Sequence, residues 1–145
     1  MSLFHALLTR MRGERGQTFV EFALAFPLFF MILVGIIDVN LIFYNDSILT
    51  NAARAGARAG TVLQVPPLTP TQIASITTTY AQNNLVTGGA ATLPTVTVTQ
   101  SNGTTPGSSL QVAISYTYQG LLLGSVFSAL VGPVVLNASA VMIYE

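Results

Sequence analysis

Several residue types are missing or rare in this chain of 145 residues. It has no cysteine, no tryptophan and no lysine, and it has only five arginines and five acidic residues. The absence of cysteine excludes disulfides, thiolate metal sites and cysteine nucleophiles. Charged residues make up 7% of the chain, whereas soluble domains have about 25%. Because the formal net charge is zero and no basic stripe with interleaved aromatic residues exists, nucleic acid is disfavoured as a partner.

The C-terminal part of the chain lacks the side chains that catalysis requires. Residues 59–144 contain no Lys, Arg, Asp or Glu, and the single histidine is His5. A general base must be titratable and within hydrogen-bond reach of its substrate, and a hydroxyl nucleophile needs such a base. A metal centre needs several His, Cys, Asp or Glu ligands. The sequence therefore predicts a protein that is not an enzyme and that has no metal site and no cofactor.

A long apolar segment follows the basic N-terminus. Residues 22–37 contain no charge, and the apolar character extends from Phe19 to Tyr44. Since a membrane span needs about 20 apolar residues, this segment predicts a transmembrane helix. A cleaved signal peptide is the alternative, and the length of the segment and the polar helix-forming residues after it disfavour that interpretation. Three arginines precede the segment: Arg10, Arg12 and Arg15.

The arginines before the span favour a cytoplasmic N-terminus and an exported C-terminal domain. Arg54 and Arg58 follow the span and act against this orientation, because they also fall within the counted distance of it. The charge distribution therefore favours this orientation without deciding it.

The helical pattern continues beyond the apolar segment, and a helix from Gln17 to Gly60 would be on the order of 65 Å long at 1.5 Å per residue. Four-residue spacing predicts two rows on its surface. The polar row consists of Asp46, Thr50, Arg54 and Arg58. The small row consists of Ile48, Ala52, Gly56 and Gly60. The small row allows close approach of another backbone, either from the chain's own exported domain or from a second subunit, and Gly60 has the alternative role of a helix C-cap.

The remaining residues predict a small α+β domain. Thr69 and Pro70 are a helix-start signal, Gln72, Ile73, Ile76 and Tyr80 follow with helical spacing, and a Gly-Gly pair at 88–89 ends this segment. Alternating apolar residues predict three antiparallel strands, at 95–100, 110–119 and 134–144. The apolar segment 120–133 has two interpretations, a short helix or coil that covers the sheet, or a surface that meets a partner or the membrane.

The stretch RGQTFVE, residues 15–21, resembles the processing site of type IV prepilins. A short basic leader ends at Gly16, and Glu21 is the fifth residue if Gln17 begins the mature chain. The resemblance implies cleavage between Gly16 and Gln17 by a prepilin peptidase and a role for the Glu21 carboxylate in subunit assembly. Pairing of Glu21 with the Gln17 amine of its own chain is the alternative.

The longer segment from Arg15 to Gly60 resembles the TadE-like family of pilus-assembly proteins. The matching features are Arg15-Gly16, Val20-Glu21-Phe22-Ala23, Pro27, Gly35, Asp38, Tyr44 and the stretch NAARAGAR at 51–58. The later apolar segment and the final stretch NASAVMIYE resemble the family more loosely. The chain departs from larger adhesin-like relatives in one respect. Its exported region is short and charge-poor and has no integrin-type metal domain.

The resemblance implies a minor pilin or pseudopilin of a Tad (tight adherence, Flp-type) pilus in the bacterial envelope. Its implied partners are the prepilin peptidase, other pilins or pseudopilins, the Tad assembly platform and the lipid bilayer of the inner membrane. The expected organisation is a cytoplasmic leader at 1–16, a pilin-like helix at 17–60 and an extracytoplasmic domain at 61–145. The alternatives are a signal-anchored monomeric binding domain and a structural subunit of the assembly platform.

Overall fold

The computed structural model describes the backbone of residues 2–62, 65–87, 92–120 and 132–144, and the side chains of these ranges from Gln17 onward. Two helices precede three strands along the chain. The elements are α1 (Ser2–Thr61), α2 (Pro70–Asn84), β1 (Thr95–Ser101), β2 (Ser109–Tyr118) and β3 (Val134–Ile143). The predicted α+β class, with a long N-terminal apolar helix, a second helix and a three-stranded antiparallel sheet, is confirmed.

The chain divides into two compact units, Met1–Ile37 and Asp38–Glu145. The first unit consists of the N-terminal part of α1, which continues through Pro27 without interruption. Every side chain from Gln17 to Leu33 is exposed, and this stretch is almost wholly apolar from Phe19 onward. The rings of Phe22, Phe26 and Phe30 follow one another at four-residue spacing, with centroids 5.5 and 6.2 Å apart. Among the described residues, α1 is the one helix that is long and apolar enough to cross a membrane.

The second unit begins inside α1 and contains the sheet. The strand order is β1-β2-β3, and both strand pairs are antiparallel. Alternate residues of β2 are buried, from Leu110 through Val112, Ile114 and Tyr116 to Tyr118, as the period of two in the sequence predicts. The loop between β1 and β2 turns through Asn102 and Gly103, both of which have positive φ angles.

The start of α2 follows the sequence signal closely. Thr69 is the N-cap, and its side-chain oxygen accepts a hydrogen bond from the backbone N–H of Gln72 at 3.3 Å. The side chain of Gln72 accepts from the backbone N–H of Thr69 at 2.9 Å, which completes a capping box, and Pro70 occupies the first turn. The helix ends at Asn84, before the Gly-Gly pair that the sequence indicated as its end.

The core of the second unit lies between the sheet and the two helices. Its apolar residues form two clusters, one around Leu49, Ala52, Ala53, Ala81 and the C-terminal half of β2, the other around Ala57, Ile73, Leu110, Val112 and Tyr144. The C-terminal turns of α1 are therefore part of the core of this unit. Helices on one face of an antiparallel sheet are a common α+β architecture.

The buried face of α2 includes only one of the residues that the sequence analysis named. The buried residues are Ile73, Thr77 and Ala81, whereas Ile76 and Tyr80 are 39% and 38% exposed. The helix predicted from this spacing is present, and the small polar residue Thr77 takes the inward position beside Gly56. The apolar segment predicted to cover the sheet or to meet a partner falls largely on 121–131, outside the described residues.

Candidate assembly site

The predicted cleavage position lies within α1, and the predicted assembly carboxylate, Glu21, lies in the exposed apolar part of this helix. The backbone at Gly16 and Gln17 is helical, within the continuous span of α1. The side-chain amide of Gln17 donates a hydrogen bond to Glu21 Oε1 at 3.1 Å, and both residues are exposed. Four-residue spacing places these two side chains on the same helix face. The Glu21 carboxylate therefore accepts a hydrogen bond from the Gln17 side chain and is otherwise exposed.

The small row lies against α2 of the same chain. A Cβ atom added to Gly56 would overlap Thr77 Oγ1 and lie 3.2 Å from Thr77 Cβ. A Cβ atom at Gly60 would overlap Leu110 Cδ2 and lie 2.7 Å from Ile73 Cδ1. Separations under 3.0 Å are essentially never seen for a real Cβ atom. The chain therefore packs closely on itself at both glycines, and the closest neighbours are Thr77 at Gly56 and the ends of the flexible Leu110 and Ile73 side chains at Gly60.

These contacts progress regularly along the helices. Gly60 meets Ile73 and Gly56 meets Thr77, four residues later in α2. Ala52 and Ala81 follow in one buried cluster. Since the numbers fall along α1 while they rise along α2, the two helices pack antiparallel, with matching four-residue rows.

Strand β2 also packs against the small row of α1. Val112 Cγ1 lies 3.5 Å from the Cβ position of Gly56. Gly60 likewise lies between a side chain of α2, Ile73, and a side chain of β2, Leu110. It is also not a C-cap, because α1 continues to Thr61 and Gly60 is not among the glycines with positive φ.

Two buried polar residues of α1 are linked to distant parts of the chain. Asp38 is fully buried, and Tyr118 Oη donates a hydrogen bond to its Oδ1 at 3.2 Å. Asn45 is also fully buried, and its side chain forms two bonds with Val86, from Asn45 Nδ2 to Val86 O at 2.9 Å and from Val86 N to Asn45 Oδ1 at 3.0 Å. Both residues stand out in the sequence as polar side chains in or beside the apolar segment, but their partners are 80 and 41 residues away.

The charged residues of the polar row face away from the core. Asp46, Arg54 and Arg58 are exposed, and Thr50 between them is half-buried. In the part of the chain that the structure describes, none of the three charged residues forms an ion pair. The charged residues of the polar row are therefore exposed, whereas the small row packs against α2 and β2.

The comparisons with known proteins add one match. A search of curated proteins and a search of solved structures find no match to this chain. A family model described as TadE-like protein matches residues 16–58. The matched range begins at Gly16, includes Glu21 and the exposed apolar helix, and ends at Arg58 in the polar row. The chain therefore contains a TadE-like segment at residues 16–58, and the resemblance to the TadE-like family is confirmed.

Proposed function

We propose that this chain is a minor pilin or pseudopilin that takes part in the assembly of a Tad (Flp-type) pilus for adhesion. The observation that carries the proposal is the TadE-like match at residues 16–58, which contains the exposed apolar helix. An exposed apolar surface of this length is stable in a bilayer or against other apolar helices. The protein acts by assembling with other pilins or pseudopilins and with the Tad assembly platform, and it catalyses no reaction.

In this proposal the leader at residues 1–16 stays in the cytoplasm and the apolar part of α1 spans the inner membrane. The domain that contains the sheet is extracytoplasmic, as the arginines of the leader favour. The prepilin peptidase cuts between Gly16 and Gln17, which leaves the apolar helix in the mature chain and creates a new amine at Gln17.

The Glu21 carboxylate then has a role in subunit addition. An exposed carboxylate on an apolar helix face is unfavourable in a bilayer, and the new Gln17 amine of a neighbouring subunit would neutralise it. Removing one member of a buried ion pair costs about 3–5 kcal/mol, because the other charge remains without a partner. The pair would therefore act mainly as a check on the register of each added subunit.

The cleavage is tested by replacing Gly16. We expect Gly16→Leu to leave the precursor uncut, and we expect Gly13→Leu, a matched change within the leader, to be processed normally. N-terminal sequencing and the intact mass of the membrane-extracted protein distinguish the two forms. Normal processing of Gly16→Leu would refute the assigned cleavage site.

The role of the carboxylate is tested by replacing Glu21. Glu21→Ala should insert into the membrane and should be lost from sheared filaments by 100-fold or more, since 3 kcal/mol corresponds to about two factors of ten. Glu21→Asp, which reaches one methylene less far, should be intermediate, and Glu14→Ala in the leader is the control. Recovery of Glu21→Ala at the wild-type level would show that the carboxylate has no such role.

Recovery of the protein with the membrane assembly complex or with sheared filaments also distinguishes the proposal from its alternatives. A processed protein that is recovered with the membrane assembly complex and never with sheared filaments would be a structural subunit of the platform. An uncut protein that is recovered with neither would be a signal-anchored monomeric domain.

A further inference from the structure

The sheet is bonded to α1 at the point where the apolar segment ends. Asp38 directly follows the uncharged residues 22–37 and is the first residue of the second unit. Its fully buried carboxylate accepts the hydrogen bond from Tyr118 Oη at 3.2 Å, and Tyr118 is the last residue of β2. Because α1 is helical throughout, no linker separates Asp38 from the apolar segment. One end of the sheet therefore lies beside the end of the apolar segment.

The length of α1 gives the depth of Asp38 in a bilayer. The apolar segment begins at Phe19, and Asp38 is about 28 Å farther along the helix at 1.5 Å per residue. The hydrocarbon core of a bilayer is about 30 Å thick, and the headgroups add about 5–8 Å on each side. With Phe19 at the cytoplasmic edge of the core, Asp38 lies at the outer edge, where the headgroups begin. The end of the sheet beside Asp38 is then at the level of the headgroups.

Two exposed apolar side chains lie at this end of the sheet. Val135 is the second residue of β3, whose first residue pairs with Tyr118, and its side chain is 52% exposed. Leu93 is 69% exposed and follows Thr92, whose hydroxyl donates a hydrogen bond to Thr117 O at 3.2 Å. Both side chains present apolar surface that is stabilised when it leaves water.

The chain that connects β2 to β3 at this end is also apolar in sequence. Residues 121–131 are outside the described part of the chain, and the described residues on either side, Gly120 and Gly132, adjoin the paired ends of the two strands. Leu, Val and Phe make up seven of these eleven residues, and none of the eleven is charged. Val141 and Ile143 are exposed at the other end of β3. Exposure alone therefore does not select a surface, and the position of Asp38 does.

We propose that this end of the sheet lies in the outer headgroup layer of the membrane, with the side chains of Leu93 and Val135 in contact with lipid. The inference rests on the proposed function in one respect, that the apolar part of α1 spans the inner membrane with the second unit outside. The partner is the lipid surface, because this end of the sheet is apolar and uncharged and adjoins a helix that is itself in lipid. Apolar groups at a membrane surface are buried about 5–10 Å deep, a depth that two or three residues of a strand span at about 3.4 Å per residue.

This contact would limit the tilt of the second unit on the membrane. The unit then meets the bilayer at two places, at α1 and at the end of the sheet. Gly60, beside Leu110 of β2, is about 33 Å farther along α1 than Asp38. The polar loop between β1 and β2, residues 102–108, follows the same end of the sheet as Leu110. The unit would therefore present this loop away from the membrane.

The test uses single tryptophans in the full-length protein, because the chain has no tryptophan of its own. The protein is reconstituted into phosphatidylcholine vesicles with and without lipids that are brominated near the headgroup, since bromine quenches tryptophan fluorescence at close range. Val135→Trp is the probe. Val141→Trp is the matched control, because it is exposed on the same face of β3 and about 20 Å farther along the strand. Phe30→Trp reports whether the apolar part of α1 enters the bilayer.

We expect these lipids to quench Val135→Trp at least about twofold more than Val141→Trp, as burial at the membrane surface requires. Lipids brominated near the ends of the acyl chains should quench Phe30→Trp more than Val135→Trp. Equal quenching of Val135→Trp and Val141→Trp would overturn the contact. Blue-shifted emission of Val135→Trp without quenching would also overturn it, because a protein partner would then cover this residue in place of lipid.

A charge at Leu93 tests the contact at its second residue. In the Val135→Trp protein, Leu93→Glu should reduce the quenching by about half, because a carboxylate is costly to remove from water. Val65→Glu is the matched control, since it places the same charge at an exposed valine after the end of α1, and it should leave the quenching unchanged. Quenching that Leu93→Glu does not reduce would overturn the contact.

The outcome for the contact is distinguishable from the outcome for the proposed function. Quenching of Phe30→Trp without quenching of Val135→Trp would overturn the contact and leave the proposed function in place. Quenching of both in a protein that stays uncut and enters no filament would support the contact and count against the proposed function. Quenching of neither would overturn the contact and count against the spanning helix on which the proposed function depends.

Discussion

Replacing Gly56 by leucine tests whether the small row of α1 holds the second unit together. The added side chain would enter a space bounded by Thr77 and Val112, where even a Cβ atom overlaps Thr77 Oγ1. Rotation of the Thr77 side chain would lower the free energy of unfolding, because Thr77 is fully buried and its hydroxyl donates a hydrogen bond to Ile73 O at 2.9 Å. The substitution therefore forces α1 and α2 apart.

The expected loss follows from two opposing effects. Overpacking of a core costs about 1–3 kcal/mol and occasionally more, and four added carbons place this change at the upper end. Leucine has a better helix propensity than glycine by up to about 1 kcal/mol, which offsets part of the loss. The net destabilisation is about 2 kcal/mol, which corresponds to a decrease in Tm of about 8–16 °C for a domain of this size.

The assay is thermal unfolding of the full-length protein in detergent, followed by the near-ultraviolet circular dichroism of its tyrosines. Tyr116 and Tyr118 are buried in the core, and the chain has no tryptophan to obscure their signal. Asn51→Leu is the matched control, because it adds leucine to the exposed side of the same helix. Equal Tm values for Gly56→Leu and Asn51→Leu would refute the reasoning, and membrane insertion should be unaffected in both.

Two further predictions concern the buried polar residues of α1. Asn45→Ala removes both hydrogen bonds to Val86 and should destabilise the unit by about 2 kcal/mol, with faster hydrogen exchange at the Val86 amide; unchanged exchange would show that this pair is not required. Tyr118→Phe removes the hydroxyl that donates to the buried Asp38 carboxylate and should cost about 1.5–3 kcal/mol in the free energy of unfolding. Tyr80→Phe on the exposed side of α2 is the control, and equal losses for the two tyrosines would contradict a specific role of the Asp38 bond.

The elements of this protein follow from local patterns in the sequence. The uncharged segment 22–37 predicts the apolar helix because each turn must satisfy its own backbone in a bilayer. Thr69 followed by Pro70 predicts the start of α2, and the period of two in 110–119 predicts both β2 and its buried face. These signals are local, because each depends on residues within a few positions of one another.

The partners of α1 were decided by the tertiary structure. The spacing of Ala52, Gly56 and Gly60 predicts close packing of a helix, but it does not distinguish a neighbouring subunit from the chain's own domain, since both offer a backbone to approach. Only the fold brings Thr77 to Gly56 and Leu110 to Gly60. The sequence by itself therefore determined that this face of α1 must be covered, and the tertiary structure decided that α2 and β2 of the same chain cover it, because contacts between residues far apart in sequence depend on how the elements pack.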